Sequence, residues 1–329
     1  MGRQQGKYFL GVDLGGTNIQ AGVVDLDHRL LARVKTKTKA EEGASAVIRR
    51  VAAAARDAAG DAGLDMEHIS GLGIGAPGVV DIDHGVVVKA VNLRWDNLPL
   101  AKALRREIDL PVVVDNDVNV AAWGEYVAGA GGEFPDMLGV WVGTGIGGGL
   151  ILGGQLYRGY YQTAGEIGHT VLHADAPLGR RTLENIASRT AVGNTLTQLI
   201  NSNHPSKISR IVGDDLSSVR SRVIAKAYNS GDRLTREVVG KAAHDVGVAI
   251  ANCVTMLSLP CAVVGGGFTD AMGPKWVDLV RKSFETYVFP PQIACCKILT
   301  SQLGDDAGII GAGLLCGEVL QNRQRVKKK

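Results

Sequence analysis

The strongest constraint on the fold is a strand–turn–strand pattern near the amino terminus that returns in the middle of the chain. The first copy, YFLGVDLGGTNIQAGVVD at 8–25, places apolar runs on both sides of the turn GGTN. Glycine-rich turns between apolar runs are typical of an antiparallel hairpin. LGVDLG at 10–15 matches LGVWVG at 138–143 at Leu, Gly, Val and the final Gly. Two such units predict two related halves.

The chemistry of these turns favours phosphate binding. Glycines let the backbone approach a ligand closely, and exposed N–H groups in such a turn form a nest for an anion. Asp13 ends the first strand, and a carboxylate beside a phosphate needs a cation between them, which indicates Mg²⁺ held mostly through water. Trp141 takes its place in the second copy, so only the first copy predicts a metal. An ordinary hairpin without a ligand is the alternative.

A dinucleotide-binding fold is a competing interpretation of the second turn. GTGIGG at 143–148 satisfies the pattern G-x-G-x-x-G, which requires a helix directly afterwards. The residues that follow, GGLILGGQLYRG, are broken by glycine and resemble a strand. The sequence therefore argues against a dinucleotide-binding unit at this position.

A strand end between the two hairpins carries the first catalytic candidate. PVVVD at 111–115 is typical of a buried parallel strand, and NDVNVAAWGEYVAG starts a helix immediately after it. Ligands of open α/β sheets bind at such strand ends. Asp117 is either the cap of this helix or a base that takes a proton from a hydroxyl. Position alone leaves both roles open.

A third group of polar residues lies in GEIGHTVLHADAPLGRRTLE at 165–184. Glu166 and His169 are three residues apart, and Glu184 follows fifteen residues later. Two carboxylates and an imidazole are compatible with a metal site, an acid–base pair, a clamp for a polar ligand, or a solvated surface.

Composition excludes several classes of protein. The chain has 329 residues, 45% of them hydrophobic, and no apolar run approaches the about 20 residues that a membrane helix needs. The net charge of +3 rests on the tail QNRQRVKKK, and no basic patch is interleaved with aromatics, so we expect no nucleic-acid partner. No CxxC pair occurs, which argues against a zinc ribbon. We expect a cytoplasmic protein without a membrane partner.

Six motifs in order resemble those of the ROK sugar kinases (repressors, open reading frames, kinases). They are DLGGTN, GIGAPG, NDVNVAAWGE, GTGIGGG, GEIGH and VVGGG, and the resemblance runs from about residue 8 to 317. It implies an α/β actin-like ATPase (ribonuclease H-like) fold, in which two duplicated domains surround a central cleft. The first hairpin starts within about ten residues of Met1, which favours the kinase branch over the repressors with their N-terminal helix-turn-helix.

The resemblance also implies domain boundaries. Residues 1–120 plus 305–329 would form the N-terminal α/β domain, because GDDAGIIGAGLLCGEVL resembles a last helix that packs back on the first domain. Residues 121–304 would form a C-terminal α/β domain with a helical insertion at about 193–250.

Roles follow from the positions that match the family's motifs. Asp117 matches the general base that takes the proton from the attacking sugar hydroxyl. The implied sugar-binding residues are Gly75, Asn92, Asn116, Asp117, Glu166, His169 and Glu184. The implied nucleotide-binding residues are Asp13, Gly15, Gly16, Thr17, Asn18, Thr144, Gly145, Gly265, Gly266 and Gly267, with Asp13 on the Mg²⁺ side.

The activity that the resemblance implies is an ATP- and Mg²⁺-dependent hexose kinase, with glucose as the expected acceptor and glucose 6-phosphate as the product. Fructose, mannose and N-acetylhexosamines remain alternative acceptors, and polyphosphate an alternative donor. A non-catalytic sugar sensor is the alternative from another class, although it would need neither Asp13 nor Asp117. Because relatives are usually dimers or tetramers, we expect a homodimer or homotetramer.

The interval between His169 and Glu184 departs from the family. Many relatives carry a CxCGxxGC loop here, whose cysteines hold a structural zinc together with the His. TVLHADAPLGRRTL at 170–183 contains no cysteine, and a closed zinc site needs four N or S ligands. We predict that no zinc binds. Pairing of Arg180 or Arg181 with an acid, and packing of Leu178 and Leu183, are expected to hold the loop instead.

Overall fold

The computed structural model of the protein describes residues 8–213 and 215–327. The first seven residues and the last two of the basic tail lie outside this range. The strands are β1 (Tyr8–Leu14), β2 (Asn18–Asp25), β3 (Leu30–Lys37), β4 (Ile69–Ala76), β5 (Val79–Asp81), β6 (Val86–Ala90), β7 (Trp95–Leu98), β8 (Val112–Asn116), β9 (Met137–Val142), β10 (Ile146–Leu152), β11 (Gln155–Tyr157), β12 (Cys261–Gly265) and β13 (Lys297–Thr300).

The α-helices of the described residues lie between and after these strands, and five of them follow one another between β11 and β12. They are α1 (Ala44–Asp61), α2 (Leu100–Glu107), α3 (Asp117–Ala128), α4 (Leu183–Ala187), α5 (Arg189–Asn201), α6 (Ile208–Val212), α7 (Ser221–Asn229), α8 (Arg233–Leu257), α9 (Gly267–Met272), α10 (Pro274–Tyr287) and α11 (Ala307–Lys327). No helix in the described ranges is both long and apolar enough to cross a bilayer.

Two five-stranded sheets share one topology, and this confirms the two related halves. The first sheet has the order β3-β2-β1-β4-β8 and the second the order β11-β10-β9-β12-β13. In each sheet the first three strands are antiparallel and the last two are parallel to the central strand. A small antiparallel sheet, β5-β6-β7, follows β4.

The duplicated sheets arise from the apolar runs that flank each glycine turn. Every residue of β1 from Phe9 to Val12 is buried, and so is every residue of β12. Strands that are apolar on both faces require helices on both sides of the sheet. The Ala-rich α1 covers one face of the first sheet, and α11 packs against β1 and β4.

Close packing of α11 requires glycine in the strands beneath it. A Cβ on Gly11 would overlap the carbonyl oxygen of Ile309, and one on Gly73 would overlap that of Ala312. The backbone of α11 therefore lies directly on β1 and β4, as the resemblance implied for the last helix. Helix α11 also packs along α3, whose first turn carries Asn116 and Asp117.

The apolar core divides along the two sheets, with a smaller cluster between them. One cluster gathers residues from Leu10 to Val114, and a second gathers residues from Leu138 to Ile298. A third joins α3, β9, β12 and α11 through residues such as Trp123 and Leu315. The predicted domain boundaries at 120/121 and 304/305 remain a prediction.

Candidate active site

The first glycine turn keeps two amides available for a ligand. Gly15 N–H donates to the Asn18 carbonyl (2.9 Å), and Thr38 closes the other side by donating from its backbone and hydroxyl to Thr17 and Gly15 carbonyls. Within the described part of the chain, the amides of Gly16 and Thr17 make no hydrogen bond. The turn therefore has the free donors that an anion nest requires.

The second glycine turn repeats this arrangement. Gly143 N–H donates to the Gly145 carbonyl (2.8 Å), and the amides of Thr144 and Gly145 have no partner among the described residues. Strand β10 starts at Ile146, which confirms that no helix follows GTGIGG.

Asp13 lies at the carboxyl end of β1, opposite Gln20 on one side and Gly75 on the other. The pKa of its carboxyl is raised from 3.8 to about 7, first by burial and then by the charges of Asp117 and Asp305, against a lowering hydrogen bond from Gln20. The side chain rests against Gly308, in the first turn of α11, where only glycine leaves room for it. Carboxylates crowded in this way gain stability from a divalent cation between them and a phosphate.

Asp117 is the first residue of α3, and the helix cap is its neighbour. The side-chain oxygen of Asn116 accepts from Val118 N (2.9 Å) and Asn119 N (3.1 Å), so Asn116 is the N-cap. The interpretation of Asp117 as the cap is therefore wrong. The pKa of Asp117 is raised to about 6, first by burial and also by the nearby charge of Glu166, against a lowering hydrogen bond from Val118 N.

A carboxyl with a pKa near 6 at a strand end is suited to act as a base at neutral pH. Asn116, in contrast, has most of its amide committed, because its nitrogen donates to the Gly78 carbonyl (3.0 Å) while its oxygen caps the helix. One N–H of Asn116 is left for a ligand.

Glu166 and His169 lie close to each other, and Glu166 lies near Asp117. Their closest atoms, Oε2 of Glu166 and Nε2 of His169, are 3.9 Å apart, and both side chains are largely open to solvent. The influence of Glu166 on the pKa of Asp117 shows that the two carboxyls share one region. The structure therefore brings the GEIGH motif to the predicted base.

Glu184 contacts the second glycine turn. Its Oε2 accepts from Ile146 N (2.8 Å), and a Cβ on Gly145 would collide with that oxygen. A residue predicted to bind sugar thus also fixes the turn predicted to bind phosphate.

The other predicted residues lie beside the same turns. Gly75 lies against α3, because a Cβ there would come within 3.1 Å of the Asp117 Cα. Asn92 lies against Gly16, because a Cβ on Gly16 would come within 3.1 Å of the Asn92 Cβ. Gly266 has φ +91°, a conformation that favours glycine, and its Cα region abuts Val142 at the start of the second turn. Gly265 and Gly267 end β12 and begin α9 on either side of it.

The loop at 170–183 is held differently from what we expected. Arg180 and Arg181 donate to the Gln198 side chain and the Ala176 carbonyl, and neither pairs with an acid of the described residues, while Leu178 is 85% exposed. These expectations were wrong, whereas Leu183 is buried as expected. The two ends of the loop pair through a bridge between Val171 and Thr182.

A buried carboxylate lies beneath this loop. His173 Nε2 lies 3.5 Å from Oδ1 of Asp245, which is on α8 and almost fully buried. No group of three or more His, Cys, Asp or Glu side chains in the described residues is arranged to hold a metal ion. The sequence showed His173 but not that it lies against Asp245, a carboxylate more than seventy residues downstream.

Two further side chains lie in this region that the sequence did not predict there. Arg189 donates to the Thr144 hydroxyl (2.9 Å), which places a guanidinium on the second turn. Asp115 is buried, accepts from Asn116 N and Asn119 Nδ2, and forms an ion pair of 2.6 Å with Arg158. Neither Arg189 nor Asp115 lies in a motif that predicts chemistry. The position of Asp115 directly before NDVN could have indicated that it supports the site.

Comparison with known proteins decides the relationship. The model of the ROK family matches residues 9–319. The chain belongs to the ROK family. It is 32% identical to the glucokinase of Halalkalibacterium halodurans over 314 residues, which cover 94% of both chains.

Solved structures of ROK proteins superpose on the whole chain. The ROK family glucokinase of Streptomyces griseus, crystallised with glucose and AMPPNP, is 33% identical, has a TM-score of 0.84, and is matched over 94% of this chain and 98% of its own. The ROK hexokinase of Thermus thermophilus is 29% identical with a TM-score of 0.79, over 96% and 99% of the two chains. The two matching sheets are therefore those of the actin-like ATPase fold.

Proposed function

We propose that this ROK protein transfers the γ-phosphate of ATP to a hexose hydroxyl, and that glucose is the preferred acceptor, giving glucose 6-phosphate. The observation that carries the proposal is the position of Asp117. It lies at the carboxyl end of the first sheet, near Asp13 and Glu166, with a pKa raised to about 6. The similarity to two glucokinases supports glucose as the acceptor.

The two glycine turns account for the donor. Phosphoryl transfer asks the protein to position its substrates and to neutralise charge. The free amides of Gly16, Thr17, Thr144 and Gly145 would receive phosphate oxygens, and Arg189 adds a positive charge at the second turn. Gly265, Gly266 and Gly267, next to Val142, would lie under the adenosine.

The residues around Asp13 fit a magnesium ion. The negative charges of Asp117 and Asp305 help to raise the pKa of the buried Asp13 carboxyl, and a cation relieves such repulsion. Asp13 would hold Mg²⁺ mostly through water, and the ion would neutralise charge on the transferred phosphate.

The acceptor hydroxyl would be held and deprotonated by the residues near Asp117. Sugar hydroxyls both donate and accept, so the carboxylate of Glu166, the imidazole of His169 and the remaining Asn116 N–H offer complementary partners. Asp117 accepts the hydroxyl proton as the oxygen attacks the γ-phosphate. Because the pKa of Asp117 is about 6, the group is ionised at neutral pH and still basic enough to take the proton.

The test is ADP formation by the purified protein with ATP, Mg²⁺ and a panel of hexoses. Glucose should give the highest kcat/KM, above fructose, mannose, N-acetylglucosamine and N-acetylmannosamine. A parallel series with polyphosphate in place of ATP identifies the donor. Sugar binding without turnover for every hexose and both donors would support a sensor and overturn the proposal.

A further inference from the structure

A cavity separate from the two glycine turns lies at the free edge of the first sheet. It has a volume of about 420 Å³ and is lined by Val112–Asp115 of β8, by Ala101 and Arg105 of α2, and by Val319 and Arg323 of α11. Ile82–Gly85 and Arg158 close its remaining side. Strand β8 is the last strand of its sheet, so the cavity lies on the side opposite β4. Of the described residues, none predicted to bind sugar or nucleotide lines it.

Basic side chains dominate the lining. Arg105, Arg158 and Arg323 face two lining carboxylates, those of Asp83 and Asp115. Asp115 is already committed to Arg158, Asn116 and Asn119, and Asp83 accepts from Gln162 (3.2 Å). His84, a further lining residue, is paired with Asp81 (2.8 Å). One terminal nitrogen of Arg105 donates to the Val112 carbonyl (3.2 Å), so its remaining N–H groups and the guanidinium of Arg323 are left to attract an anion.

Arg158 keeps donors for a ligand although it is paired with Asp115. Its Nε and one terminal nitrogen contact Asp115 Oδ2 (2.8 and 2.6 Å), and the other terminal nitrogen donates to the Leu156 carbonyl (3.2 Å). A guanidinium has five N–H donors, so two remain. Arginine is the side chain best suited to grip the oxygens of a phosphate in pairs.

We propose that this cavity, bounded by Arg105, Arg158 and Arg323, binds a small phosphorylated metabolite about the size of a monosaccharide phosphate. The volume falls within the range of about 300–1,000 Å³ that small-molecule sites occupy. The phosphate would lie among the three guanidinium groups, and the remainder of the ligand along the apolar wall of β8.

The position of the cavity couples a ligand bound there to the sugar site. Arg158 follows β11 of the second sheet, whereas Arg105 and Arg323 belong to helices that pack on the first. Asp115, the partner of Arg158, also accepts from the backbone amide of Asn116, next to Asp117. An anion bridging the three arginines therefore biases the arrangement of the two sheets and the start of α3. This coupling rests on the proposed sugar site, whereas anion binding itself does not.

Calorimetric titration tests the site with two probes, inorganic phosphate and glucose 6-phosphate. Each is titrated into the protein alone and into protein saturated with glucose, Mg²⁺ and AMPPNP, so that the active site is filled. The double variant Arg105→Gln/Arg323→Gln should weaken binding by about tenfold or more. The matched control Arg106→Gln/Arg325→Gln removes the same charge from exposed neighbours on the same two helices and should bind as the wild type does.

The outcomes distinguish a sugar phosphate from free phosphate as the ligand, and they show whether the site exists. Tighter binding of glucose 6-phosphate than of phosphate identifies a sugar phosphate as the ligand, and equal binding identifies the free anion. Absence of binding to the filled protein, or equal losses in both double variants, would overturn the site. The dissociation constant of glucose should differ with and without bound phosphate in the wild type but not in Arg105→Gln/Arg323→Gln; an unchanged constant in the wild type would overturn the coupling.

Discussion

Substitution of Gly145 by alanine should damage the site through one contact, that with Glu184. The three heavy atoms nearest to a Cβ at this position all belong to the Glu184 carboxyl, and two of them, Oε2 and Cδ, lie too close for van der Waals contact. The φ angle of Gly145 lies outside the left-handed region that disfavours alanine. The added methyl group therefore has to displace the carboxylate, which then loses its hydrogen bond from Ile146 N.

The magnitude follows from that bond. A hydrogen bond to a charged group contributes about 1.5–3 kcal/mol, and the lower figure applies here because Glu184 is half-buried. If the second turn must be held to receive phosphate, a loss of about 1.5 kcal/mol in the transition state lowers kcat/KM by about tenfold. Glu184→Gln keeps an acceptor for Ile146 N, so the loss of this contact should lower its kcat/KM less than that of Glu184→Ala.

A double-mutant cycle in the ADP-formation assay isolates the contact. Gly145→Ala, Glu184→Ala and the double variant are compared with the wild type by kcat/KM for ATP at saturating glucose. Because Glu184→Ala already removes the carboxylate, adding Gly145→Ala should cost little, giving a coupling energy of about 1.5 kcal/mol. Additive losses, within about 0.5 kcal/mol, would show that Gly145 acts by another route and would refute the reasoning.

Three further predictions concern the carboxylates and the loop. kcat/KM for glucose should fall about tenfold per pH unit below about pH 6 as Asp117 becomes protonated, and a flat profile from pH 5 to 8 would contradict the base. Asp13→Asn should abolish activity and raise Tm at pH 8 in EDTA. The pKa of Asp13 in the folded protein, about 7, lies above the usual 3.8, so ionisation of this carboxyl destabilises the folded protein fully above pH 7 and not at all below pH 3.8. A gain in Tm of equal size at pH 4 would show that the stabilisation does not come from removing the ionised Asp13 carboxylate. Elemental analysis should find no zinc, and EDTA followed by restored Mg²⁺ should leave activity intact; about one zinc per chain, lost together with activity, would refute the prediction.

The fold was predictable from local pattern because it is duplicated. The apolar runs around GGTN and GTGIGG define β1, β2, β9 and β10, and the strand order of the first sheet returns in the second. The run GDDAGIIGAGLLCGEVL, predicted to contain the last helix, contains the first part of α11. These elements depend on periodicity and glycine placement, which a single sequence displays.

The contacts between distant segments were not predictable in this way. The pairing of Asp115 with Arg158 and of His173 with Asp245 joins residues far apart in the chain, and no spacing rule relates them. The error about Arg180 and Arg181 has the same origin, since the sequence shows two cations but not which acids lie within reach. The sequence offered both Asn116 and Asp117 as caps, and the choice of Asn116 depends on where α3 starts.

The most direct test of the proposed mechanism is the turnover of Asp117→Asn. The amide has nearly the shape of the carboxylate but cannot accept the hydroxyl proton, so glucose 6-phosphate formation should fall by about 10²–10⁴. Glucose binding, measured by calorimetry on the same preparation, should stay within about tenfold of the wild type, which shows that the site is intact. Near-full activity of Asp117→Asn would mean that Asp117 is not the base and would contradict the mechanism.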